Sequence, residues 1–102
     1  MAYSKAYYIC NQVAHDVSPL VDNYIAQETR NGKTYTNGDV ISQFAWNIIA
    51  IQAIEIKNGQ DIKTTKANMH CYFNNIFNKS YCDEIAERVY NLTRRYVREM
   101  ED

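Results

Sequence analysis

A chain of 102 residues with one proline and three glycines has few places to turn a corner. A β-sandwich or barrel needs a turn every ~8–12 residues, most of them built on those two residue types, so the count excludes that class. Helices need far fewer turns. The expected fold is a small antiparallel all-α bundle of about four helices, with residues 1–102 in a single domain. A hydrophobic content of 46% supplies a core for one such domain and argues against disorder.

The first segment sets the period. Tyr3, Ala6, Cys10, Val13, Val17, Leu20 and Tyr24 recur at alternating intervals of three and four, an apolar stripe about three heptads long. Pro19 falls inside it, where it removes one backbone donor and crowds the carbonyl of His15. Either Ser18 caps a new helix or one helix kinks at Pro19. The register runs straight through, which favours one kinked helix over about 3–28. Asn31-Gly32 and Asn37-Gly38 then mark turns, and a short hairpin over 28–36 is an alternative for the first of them.

Asp39 is the expected N-cap of a second helix. From Val40 to Ile56 the chain is apolar on nearly every side, the pattern of a helix surrounded by others or buried in an oligomer interface. This helix is expected to be the structural centre, with Trp46 inside. The chain has little else to cover it, so a homodimer is expected through this helix or the first heptad face. Asn58-Gly59 supplies a left-handed stop. A third helix from Asp61 or Thr64 carries Ile62, Met69, Tyr72, Phe73, Ile76 and Phe77 on one face. Ser80 then caps a last helix that runs to about Met100 over Tyr81, Ile85, Val89, Leu92 and Tyr96.

Eleven basic against twelve acidic residues exclude a polybasic tail and an acidic nucleic-acid mimic alike. The Val40–Ile56 stretch is too short and too polar to span a membrane, so no membrane partner is expected. The N-terminus has no secretory signal pattern, and three unframed cysteines suit reduced thiols. The expected location is cytoplasmic. Eleven Ile against two Leu hint at an AT-rich genome, as in a low-GC bacterium or its phages and plasmids.

No motif announces catalysis. P-loop, dinucleotide-binding, EF-hand and zincin patterns are all missing, and no Ser or Cys is tied by sequence to His15-Asp16. Adjacent helical positions diverge by about 100°, so His70 and Cys71 cannot easily share a metal. No catalytic residue, metal or cofactor is assigned. Two surfaces remain. Arg88, Arg94, Arg95 and Arg98 lie opposite the apolar stripe of the last helix, with Tyr90 and Tyr96 interleaved. Glu84–Arg88 and Arg95–Glu99 are spaced for local pairing, whereas Arg94 and Arg98 lack an acid four positions earlier. Nine tyrosines suggest a recognition surface made of Tyr3, Tyr7, Tyr8 and Tyr35.

The expected function is therefore non-catalytic binding of a macromolecule. A host protein or protein complex leads, in the setting of a phage or mobile-element accessory protein that inhibits or regulates it. A nucleic-acid-binding regulator using the arginine helix is the alternative, and a small-ligand sensor is a third reading. A helix-turn-helix reader is disfavoured because Asp83 and Glu84 at the start of the last helix would repel phosphate.

Overall fold

The computed structural model describes residues 5–35 and 37–100. Four helices follow in order: α1 (Lys5–Arg30), α2 (Gly38–Lys57), α3 (Ile62–Phe73) and α4 (Lys79–Met100), and no described residue lies in a strand. The expected all-α bundle is what forms. Successive helices are antiparallel. Cross-contacts pair Asp22 with Ser42, Gln52 with Asn68, and His70 with Asp83, so each helix runs back along the one before. α4 closes the bundle by running antiparallel along α1, as Gln27–Tyr81 and Asp16–Tyr96 show.

α1 passes through Pro19 as one helix, with the ring on the exposed side, so only one backbone bond is lost. Its buried stripe is Ile9, Cys10, Val13, Ala14, Val17, Val21 and Tyr24, close to the heptad positions of the sequence. Tyr3 lies outside the described residues.

The hairpin over 28–36 does not form among the described residues. Asn31-Gly32 ends α1 instead: Gly32 adopts φ 97°, its N–H reaches the Thr29 carbonyl at 3.1 Å, and the Lys33 N–H reaches Glu28 at 2.9 Å. That paired closure satisfies two terminal carbonyls and needs a left-handed residue, which glycine supplies without a Cβ clash. Gly59, at φ 114°, closes α2 in the same way onto Ile56 and Glu55.

The helix starts differ from expectation by a residue or two. Asn37, not Asp39, caps α2, its side-chain oxygen accepting from the N–H groups of Asp39 and Val40 at 3.0 and 3.3 Å. Asp39 sits in the first turn, where the helix dipole favours an acid. Asn78 takes the role expected of Ser80, accepting from the Tyr81 N–H at 2.8 Å. Asn carries an acceptor as suitable as that of Ser, and the spacing alone does not choose between them. Of the two expected starts of α3, Asp61 is the cap, its side chain accepting from the Thr64 N–H. α3 stops at Phe73, and Phe77 returns to the core from the turn beyond.

The core is a single cluster drawn from all four helices, centred on fully buried Val13, Val17, Ile49, Ile56, Met69, Phe73, Ile85 and Val89. Buried polar groups are answered. Gln52 accepts from the amides of Gln60 and Asn68 at 2.7 and 3.0 Å, and Gln60 also donates to Thr65 at 2.9 Å. This amide cluster fastens the α2–α3 corner, where the two backbones approach each other least.

The molecule is a slab, 47 × 31 × 17 Å, and its thinness corrects the reading of α2. Ala45, Ile48, Ile49, Gln52, Ala53 and Ile56 face inward, but Val40 and Ile51 are 63% and 51% exposed, and Phe44 is 38% exposed with one edge of its ring against Phe73. Trp46 is only partly buried, at the edge of the core. A slab covers one side of a helix, so an all-round apolar pattern leaves an uncovered stripe.

Candidate functional site

The aromatic site grows from the shoulder where α1 meets α2. Tyr8, Gln12 and His15 follow one another at helical spacing on the outer side of α1, with Tyr7 and Asn11 one residue round. α2 brings Trp46 against them, its indole edge-on to the His15 ring with centroids 6.5 Å apart. These six side chains line an open groove of about 360 Å³, mostly apolar. That volume falls in the range of small-ligand and side-chain pockets. Tyr7 and Tyr8 stand at its rim, 51% and 53% exposed.

The polar edge of the groove is already partly spoken for. Asn11 donates its amide to the Tyr7 carbonyl at 2.9 Å, and Gln12 donates to Asp16 Oδ1 at 3.1 Å. Asp16 stands behind two of the lining side chains, with His15 Nδ1 at 3.4 Å from the same oxygen that Gln12 reaches. Its other oxygen accepts the Tyr96 hydroxyl, and that bond holds the carboxyl below its usual range, helped by His15 and Gln12. No Lys or Arg pairs with Asp16 among the described residues.

The expected tyrosine surface divides. Tyr7 and Tyr8 stand near the start of α1, and Tyr35 lies beyond its other end, about 35 Å along the helix axis. Tyr35 is half-buried, its hydroxyl donating to the Ile76 carbonyl at 3.1 Å beside the Lys33 ammonium, which binds the same oxygen. It straps the α1–α2 loop to the α3–α4 turn. The sequence reading missed Trp46, Asn11, Gln12 and His15 as groove residues. The signal that could have found Trp46 is its position on the wheel, to one side of the Ala45–Ile49–Ile56 face.

All four arginines of α4 are exposed. Arg95 pairs with Glu99 at 3.4 Å, as spacing predicted. The expected Glu84–Arg88 pair is not formed among the described residues; Glu84 accepts the hydroxyl of Tyr24 across the α1–α4 seam instead. Arg94 and Arg98 make no ion pair among the described residues. His70 faces Asp83 at 2.9 Å while Cys71 points to solvent, and no cluster of three potential metal ligands occurs among the described residues.

Two Tyr–carboxylate bonds of opposite polarity thus fasten α1 to α4, Tyr24 to Glu84 and Tyr96 to Asp16. They give stability a signed pH dependence. The Asp16 and Asp83 carboxyls are depressed, by Tyr96 and His70 respectively, so their contribution is present above ~4 and lost as pH falls through their folded values. Tyr24 is raised by burial and by Glu84, and Tyr96 by its bond to Asp16, so their contribution is full below ~10 and lost as pH rises through the folded values. Tyr96→Phe should therefore differ most from the parent near neutrality and converge on it at both extremes. Thermal midpoints followed by circular dichroism across pH test this; a constant offset would show that the seam does not titrate as described.

Comparison with family models, curated proteins and solved structures returned no match for this chain. No helix among the described residues is long and apolar enough to cross a membrane.

Proposed function

We propose that this chain is a non-catalytic binding protein that docks a partner polypeptide in the groove between α1 and α2. The observation that carries the reading is the convergence of Tyr7, Tyr8 and Trp46 on one concave, mostly apolar surface. Tyr and Trp are the residue types that dominate binding energy at protein interfaces, because they bury much area at little entropic cost. The accompanying setting is that of a cytoplasmic accessory protein, encoded by a phage or mobile element, that inhibits or regulates a host complex. The composition described above supports it.

A second reading rests on Arg94 and Arg98, exposed and without ion pairs among the described residues, which suits phosphate contact by a nucleic-acid regulator. Affinity capture from a lysate of the source organism, with and without nuclease, separates the two. The expected result is a nuclease-resistant protein partner lost with Tyr8→Ala plus Trp46→Ala and retained with Arg94→Glu plus Arg98→Glu. Capture that needs nucleic acid, or that fails only with the arginine variants, gives the function to α4 instead.

We also propose self-association through the outer stripe of α2, Val40, Phe44 and Ile51, a surface separate from the groove. Scattered surface apolar residues are ordinary, but a stripe along one helix resembles an interface waiting for its mate.

A further inference from the structure

The groove of the docking surface has a donor–acceptor character that narrows what can enter it. None of its six lining side chains is a lysine or arginine. The nearest cation on the same stretch of α1, Lys5, directs its ammonium to the Met100 carbonyl at 3.1 Å, at the far end of α4. The amide nitrogens of Asn11 and Gln12 are committed to internal acceptors, so their oxygens are what those two residues still offer a visitor. Asp16 adds a carboxylate behind Gln12 and His15, bonded to a hydroxyl, an amide and an imidazole among the described residues. Aromatic rings and spare acceptors, with a carboxylate behind the lining whose one basic neighbour is His15, form a site for a cation with an apolar stem.

We infer that the groove takes an arginine side chain presented by the partner polypeptide, with the guanidinium on Trp46 and Tyr8 and its N–H groups directed at Asp16 and the amide oxygens. The inference rests on the protein-docking reading and names the anchor that reading leaves open. Arginine is favoured over lysine on physical grounds. Its planar, weakly hydrated head stacks on rings and offers five donors, whereas an ammonium is strongly hydrated and compact. Tryptophan is the strongest cation–π partner among the side chains, and Tyr follows.

Trp46 is the only tryptophan in the sequence, so its fluorescence reports directly on the groove. The intact chain is titrated with N-acetyl-arginine amide, with the citrulline derivative as a neutral isostere and the leucine derivative as an apolar control. The expected result is a saturable fluorescence change with the arginine derivative, in the millimolar range, and a several-fold weaker response to citrulline. Tyr8→Leu should weaken arginine binding about two- to thirty-fold, the measured span of one cation–π contact. Asp16→Asn should close most of the gap between arginine and citrulline while the helical spectrum is retained. Equal responses to arginine and citrulline, or no response to arginine at tens of millimolar, overturn the assignment, and they do so on the parent protein without any variant. Preference for the leucine derivative also overturns it, while leaving the groove a docking site for an apolar anchor. Loss of the docking reading itself would show separately, as captured partner that ignores the Tyr8 and Trp46 substitutions.

Discussion

Phe73→Ala should cost about 3–5 kcal/mol of folding free energy, read as a fall in the urea midpoint at unchanged slope. The ring is fully buried at the end of α3, edge-on to Phe44 at 5.7 Å and tilted against Phe77 at 5.9 Å. Removing it opens a cavity where α2, α3 and the following turn meet, and close-packed neighbours relax only partly into such a space. A domain of this size holds about 5–15 kcal/mol in total, so the variant should sit near its unfolding threshold. Trp46→Ala should be much milder, at most about 2 kcal/mol, because a partly exposed indole loses only part of its transfer energy. Equal losses for the two variants would move Trp46 into the core and dismantle the groove.

Ile51→Glu should abolish self-association while leaving the helical content unchanged. Ile51 stands two helical turns from Phe44 on the uncovered side of α2, and Val40 extends the stripe by one more turn. An isologous contact pairs such a stripe with its own copy about a two-fold axis. One glutamate there places two charges at the centre of the contact, which the dimer must desolvate. Light scattering at high micromolar concentration should give about twice 11.9 kDa for the parent and 11.9 kDa for the variant. A monomeric parent would remove the proposal.

The number of helices, their order and most of their inward faces were legible in the sequence, because the period of the apolar residues is a local property of the helix. The α1 stripe ran through Pro19, the sole internal breaker, and the Asn-Gly pairs marked two helix ends. Local chemistry was ambiguous where two residues could serve one purpose. Asn37 and Asp39 both make good caps, as do Asn78 and Ser80, and only the backbone shows which one stands at the first turn.

What surrounds α2 was decided by tertiary structure alone. Its sequence is apolar on nearly every side, and such a pattern carries no phase from which to read which side a neighbour covers. The slab arrangement buried the Ile49 side, left the Ile51 side bare and set Trp46 at the α1 edge, where it makes the groove. The same holds for charge. Spacing offered Glu84 to Arg88, but Tyr24, sixty residues earlier, took it across the seam. Local periodicity determines which residues share a helix face; only packing determines what that face meets, because the competing partners come from distant parts of the chain.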